Sequence, residues 1–368
     1  MSRGSVSAPV WPAAWGGLLD GYIARAVIAG SLASLVVFVS LIFIFSYIEE
    51  VGDFSADYTA VDALIYVGLQ VPQRAYESFP VATLIGSLMT LGGLAARSEL
   101  VVMRAAGMSV LGIARSVVMA GFVLALVAAA VGEWLAPPAE RLSKTVRSGG
   151  DPARLSALSP DGFWARDGDR FVQVGQATTA SFLNDLAIYE FGSDKRLDRV
   201  ITARTAHHEP GGWQLTGVVH TLFVDDRVVV EPVDDAFWAS DIAPDLLAVV
   251  VVDPESLAMG ELLTYIAYLE RNALDSQRYR LALWIKVATP LATLTMLILT
   301  IPLVFGSLRS VNAGQRIFIG VMIGITFFLG NNLLNHVGLV YGLPPALSAL
   351  LPTLIVLTIA VIAASRIR

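Results

Sequence analysis

The sequence predicts an α-helical membrane protein with six transmembrane helices and an all-β, jelly-roll-like domain inserted between the third and the fourth. Composition carries much of this. Hydrophobic residues fill 55% of the 368 positions and charged residues only 15%, against about 45–50% and about 25% in an ordinary soluble domain. The charges are segregated, with 36 of the 56 between positions 137 and 280. On either side lie apolar stretches of the roughly 20 residues that cross a hydrocarbon core about 30 Å thick. The chain divides into helices one to three (1–136), an external β-domain (137–255), and a connecting helix with helices four to six (256–368).

The first span runs from Ala26 to Ile48 without a charge. It is too long for a signal peptide and Ser46-Tyr47-Ile48-Glu49 is no small-residue cleavage site, so a retained anchor is expected. Ala60 to Ala96 is interrupted by Pro72, Gln73, Arg74 and Glu77. Proline removes a backbone donor, so one long helix kinked near Pro72 and Pro80 is expected. The third span is Val110 to Val131, closed by Glu133 and the Pro137-Pro138 breaker. The last three run from Leu281 to Leu303, Ile317 to Val340 and Leu347 to Ala364.

Strand-like alternation marks the insert at Gly162–Arg166, Arg170–Val174, Leu186–Phe191, Trp213–Thr216, Thr221–Val224 and Arg227–Glu231. Turn clusters at Asp167-Gly168-Asp169, Gly192-Ser193-Asp194 and Pro210-Gly211-Gly212 separate them, a pattern that suggests a sandwich or jelly-roll. From Ser256 the period turns helical, with Leu257, Leu262, Leu263, Ile266 and Leu269 leading back to the membrane.

Lys and Arg concentrate on the cytoplasmic side of membrane proteins. A cytoplasmic N-terminus gathers Arg3, Arg25, Arg97, Arg104, Arg115, Arg309, Arg316, Arg366 and Arg368 on one side, and Glu49, Glu50, Asp53 and Asp57 on the other. The β-domain then lies outside the cytoplasm.

Several chemistries are missing. None of the three lysines, at 144, 195 and 286, follows a glycine, so no phosphate-binding Gly-Lys-Ser/Thr loop exists. His207, His208, His220 and His336 lack metal-ligand spacing, no cysteine is present, and no hydrolase elbow or His-Glu-x-x-His helix occurs. No catalytic residue and no metal site are therefore expected. A net charge of −6 argues against nucleic acid. A carrier or an assembly component fits better than an enzyme.

Between the second and third spans lies Arg97-Ser98-Glu99-Leu100-Val101-Val102-Met103-Arg104, ending at Gly107. Ser98 is suited to cap a short helix, Glu99 to its first turn and Gly107 to a left-handed close. Such a helix would lie on the cytoplasmic face and either pack on its own bundle or offer Leu100, Val101 and Met103 to a partner.

These words, with Leu19-Asp20-x-Tyr22-Ile23, Gly132-Glu133-Trp134-x-Ala136-Pro137, Phe163-Trp164-Ala165-x-Asp167-Gly168, Gly306-x-Leu308-Arg309-Ser310 and Val340-Tyr341-Gly342-x-Pro344-Pro345, resemble the LptF/LptG family of lipopolysaccharide export permeases. The Arg97–Met103 word and the N-terminal match favour its LptG branch over the paralogous LptF branch. The resemblance implies a multi-pass protein of the bacterial inner membrane with a periplasmic β-jelly-roll. It also implies an LptF-like permease partner, an LptB-like cytoplasmic ATPase dimer that carries ATP and Mg, an LptC-like single-span protein and an LptA-like periplasmic bridge. Arg97, Ser98, Glu99, Leu100 and Met103 would then couple the permease to the ATPase. A scaffold that anchors a β-domain without transport is the reading from a different class.

Candidate contacts for lipid phosphates are Arg74, Lys144, Arg147 and Lys286. A cation inside a span is costly and usually has a partner. Lys286 lies five residues into the fourth span, where it either snorkels to the interface or meets a phosphate. Lys144 and Arg147, at i and i+3, would share a face; the resemblance makes them phosphate contacts, the alternative being a solvated turn. Relatives carry lysines at the outer end of the first helix, where this chain has Ser46, Gly52 and Asp53, and a lysine after Pro72, where it has Gln73. Asn331, Asn332, Asn335 and His336 interrupt the fifth span, either packing with neighbouring helices or lining a cavity.

Overall fold

A computed structural model describes residues 17–53, 58–147, 163–168, 170–179, 181–192, 196–224, 227–240, 254–272, 274–306 and 311–366. Arg3, Asp57, Gly162, Asp169, Ser193, Asp194, Lys195, Arg368 and the Leu308–Ser310 part of its word lie outside them. Among the described residues six helices are long and apolar enough to cross a membrane. In chain order they are α1 (Leu18–Glu50), α2 (Ala60–Ala96), α4 (Val110–Ala130) with its continuation, α7 (Gln277–Phe305), α8 (Ala313–Val340) and α9 (Pro345–Ser365). The short α3 (Glu99–Ala105) sits between α2 and α4, and α6 (Met259–Arg271) precedes α7.

Helix starts follow capping chemistry. Thr59 and Asp62 exchange hydrogen bonds at the start of α2, Ser109 accepts from the Gly112 N–H, and Asn312 accepts from the Gln315 N–H, each satisfying an orphan donor of a first turn. α2 runs unbroken through Pro72 and Pro80. Its 37 residues reach about 55 Å at 1.5 Å per residue, so one end must leave the hydrocarbon. Small residues allow close crossings within a bundle. A Cβ on Gly86 would collide with the backbone of Gly30, so α1 and α2 touch backbone to backbone. Ser87 and Thr300 hydroxyls meet at 2.7 Å between α2 and α7.

The third span departs from expectation. Pro137-Pro138 does not close it: a π-turn, Val131–Leu135, passes into α5 (Ala136–Arg147). Both prolines fall in the first turn after the π-turn, where a missing N–H costs least.

The inserted domain holds strands β1 (Phe163–Asp167), β2 (Arg170–Thr179), β3 (Phe182–Phe191), β4 (Leu197–Glu209), β5 (Gly212–Val224) and β6 (Arg227–Ala239). They form one antiparallel sheet in chain order. Among the described residues this is a meander, without the crossed connections of a jelly-roll. Two expected strands, Trp213–Thr216 and Thr221–Val224, are one strand, Gly212–Val224; Gly217, at φ +66°, breaks the alternation of buried residues between Leu215 and Val218, while the register with β4 and β6 is the same on both sides of it. β4 has no counterpart among the expected strands. Val172, Ile188, Leu215 and Trp213 are buried on one face together with Leu257, Leu262, Tyr265 and Leu269 from α6 and the residues before it. The connecting helix therefore covers the sheet. The Tyr268 hydroxyl donates to Arg166 O at 2.9 Å, and burial pushes the Tyr265 and Tyr268 hydroxyls above the usual phenol range.

Candidate functional site

The loop helix α3 forms as its end signals suggest, with one exception. Ser98 takes a left-handed backbone (φ 59°) and makes no side-chain cap; its carbonyl instead accepts from Val101 and Val102 N–H. Gly107 closes the helix at φ +98°. Leu100 and Met103, expected on a partner-facing side, are 3% and 7% exposed in the bundle core. Val101 and Val102 are the exposed pair, at 49% and 65%. Period-3.6 geometry explains the swap, because positions 100 and 103 cannot share the face of 101 and 102. Glu99 is held from inside the chain by the Tyr22 hydroxyl, which donates to Oε2 at 2.9 Å. Asp20, two residues before Tyr22, accepts from Ser116 Oγ at 2.5 Å. The start of α1 is thereby tied both to α3 and to α4.

At the bundle end that carries the β-domain, two connected cavities share Gln73, Arg74, Glu77 and Glu255. The upper, about 250 Å³, is charged, with Arg74, Arg278, Glu77, Glu140 and Glu255. The lower, about 290 Å³, descends between α2, α7, α8 and α9 and is walled by Val81, Ala292, Phe327 and Phe328, with the amides of Asn331, Asn332 and Asn335. A charged rim above a mixed apolar and amide interior matches the polarity of a lipid lying head upward.

Of the four expected phosphate cations, only Arg74 lines these cavities, and it pairs with Glu77 at 3.5 Å. Arg147 donates to Glu50 and to the Tyr66 hydroxyl, both at 2.9 Å, and stacks over the Tyr66 ring. Glu50 also accepts from Tyr58 at 3.1 Å; burial and then this carboxylate push the Tyr58 hydroxyl above the usual phenol range. Lys144 lines neither cavity. Lys286, with a side chain 5% exposed, donates to Gly132 O at 2.7 Å and pairs with Glu133 at 3.7 Å. It borders a separate apolar groove beside α4. Arg278, absent from the expected phosphate contacts, lines the upper cavity from just before the hydrophobic part of the fourth span. Among the described residues no cluster of three metal-ligating side chains occurs.

The family described as lipopolysaccharide export system permease LptF/LptG matches residues 21–366. The chain belongs to the LptF/LptG family. It is 33% identical over 341 residues to the lipopolysaccharide export system permease protein LptG of Escherichia coli (strain K12), covering 92% of this chain and 95% of that one. The LptG protein of Haemophilus influenzae is 33% identical over 344 residues with the same coverage. The LptF protein of Escherichia coli (strain K12) matches over 121 residues, a third of each chain, at 31%. The family match thus runs through every span and the β-domain, and its full-length reach is to LptG rather than LptF relatives.

Proposed function

We propose that this chain is the LptG-type permease subunit of a transporter that extracts lipopolysaccharide from the outer leaflet of the bacterial inner membrane toward a periplasmic path. The observation that carries the reading is the full-length similarity to LptG proteins. The amphipathic pair of cavities supports it independently. A lipid needs a dry route, because each exposed methylene costs about 0.8 kcal/mol. The β-domain continues that route, its edge strand β6 exposing Val228, Val229, Val230 and Val233.

Its partners would be an LptF-like permease, an LptB-like ATPase dimer holding ATP and Mg, an LptC-like single-span protein and an LptA-like bridge. The chain itself would hydrolyse nothing. Movement would enter through Glu99, Val101, Val102 and Arg104 on the outward side of α3, and reach α1 through Tyr22. Arg74 and Arg278 are the best-placed contacts for lipid phosphates, by charge-assisted hydrogen bonds. Proteoliposomes with the assembled complex test this. Lipopolysaccharide transfer to a periplasmic acceptor that requires ATP supports transport. Assembly with no ATP-dependent transfer would mark the chain as a scaffold.

A further inference from the structure

We propose that Asn335, with Asn331 one turn before it, forms a hydrogen-bonding subsite inside the membrane that accepts a hydroxyl or amide N–H carried on the acyl chains of the bound lipid. This deepens the lipid reading of the lower cavity and rests on it.

Asn335 is 8% exposed and lines that cavity. Its Oδ1 is buried with no hydrogen-bond partner among the described residues. Buried polar groups are nearly always paired, and amides within helix bundles usually bond across to a neighbouring helix. Here Thr289 and Thr353 line the same cavity, yet Thr289 donates to its own helix at Ile285 O and neither hydroxyl reaches Oδ1. Asn331 sits four residues earlier on the same helical face and lines the cavity as well. The unpaired acceptor thus belongs to a side chain on the cavity wall, and a turn of the amide presents it to a bound ligand.

Depth selects the ligand chemistry. Asn335 is five residues from the end of α8 at Val340, about 7–8 Å along the axis. The charged rim of Arg74, Glu77 and Arg278 lies above it. A lipid with phosphate at the rim brings the first atoms of its chains to this level. Glycerophospholipid chains carry ester oxygens there, which accept and cannot donate, so the Asn335 acceptor stays unpaired. Chains joined by an amide, or bearing a hydroxyl near their carboxyl end, supply the missing N–H or O–H. A site built to bond a donor rejects the analogue that lacks one, because its own polar atom is left stranded.

The test uses the purified permease complex in nanodiscs and two synthetic versions of one diphosphorylated disaccharide lipid. One has amide-linked, hydroxylated chains; the other has plain ester-linked chains of the same length. The wild-type complex should hold the first about tenfold more tightly, the scale of one hydrogen bond made against one acceptor left unpaired. Asn335→Leu, of similar shape but without an acceptor, should bring the two lipids close to parity, chiefly by weakening the first. Asn335→Ala makes the same comparison if leucine prevents assembly. Undiminished preference in the variants, or none in the wild type, would overturn the subsite. Failure of the wild-type complex to bind either lipid would overturn the lipid reading of the cavity and the subsite with it.

Discussion

The Tyr22 hydroxyl donates to the Glu99 carboxylate at 2.9 Å across 77 positions of sequence, so the first span and the loop helix are joined by a side chain on each. With Asp20 accepting from Ser116, α1 is fastened at its start to the loop helix and to α4. A force applied to α3 therefore has a direct path into α1. Tyr22→Phe removes the donor while keeping the ring. Complex assembly should persist, and lipid released per ATP hydrolysed should fall about fivefold, the low end of allosteric couplings. Parallel ATPase and lipid-release assays read the ratio; an unchanged ratio would remove Tyr22 from the path.

Glu99→Arg replaces the acceptor with a cation facing both Tyr22 and any partner. The variant should insert and reach normal levels, since Glu99 is only partly buried, but assemble poorly with the ATPase or hydrolyse without transport. Co-purification and ATPase assays distinguish the two outcomes, and normal lipid export would exclude a role for Glu99.

The π-turn gives Lys286 a structural role. A π-turn disrupts the regular helical ladder, and Lys286 bonds the Gly132 carbonyl while pairing with Glu133, which also accepts the Met259 N–H at the start of α6. Gly132 must lack a side chain because the Tyr76 ring fills the place of its Cβ. Removing one partner of a buried pair costs about 3–5 kcal/mol; Glu133 is a third exposed, which puts Glu133→Gln at the lower end. Thermal unfolding should show that loss, and Lys286→Met should lower stability before it lowers lipid binding.

Arg147 and Arg74 should separate cleanly. Arg147→Gln breaks the contacts to Glu50 and Tyr66. With Arg147 about a third exposed, the expected cost is about 1–3 kcal/mol from the hydrogen bonds to charged groups. Arg74→Gln combined with Arg278→Gln should leave stability nearly unchanged and reduce lipid crosslinking in the cavities. The reverse pattern would place the phosphates beside α5.

The spans were legible because twenty apolar residues have few uses other than crossing a bilayer. The continuation through Pro137 was not legible, since two adjacent prolines resemble a stop unless the preceding turn is known to be π. β4 was hidden because Arg199, Arg204, His207 and His208 spoil its alternation, although Ala203 and Ala206 are buried. The loop helix was recognisable by its residues, but its inward face was misassigned: seven residues allow several phases of a 3.6 period. Cations were visible as charges, whereas their partners came from distant sequence, Glu50 for Arg147 and Glu133 for Lys286. The unpaired Asn335 acceptor depends wholly on what does not surround it.

The central claim is that lipid occupies the cavity beneath Arg74 and leaves it when ATP is hydrolysed at the far side of the membrane. A photocrosslinking side chain in place of Phe328, on the cavity wall, measures this in the assembled complex. Crosslinks to lipopolysaccharide should form without ATP, fade on ATP addition in the otherwise wild-type chain, and persist with Glu99→Arg. Absence of lipid crosslinks at Phe328, or crosslinks that ATP leaves unchanged in the otherwise wild-type chain, would contradict the account.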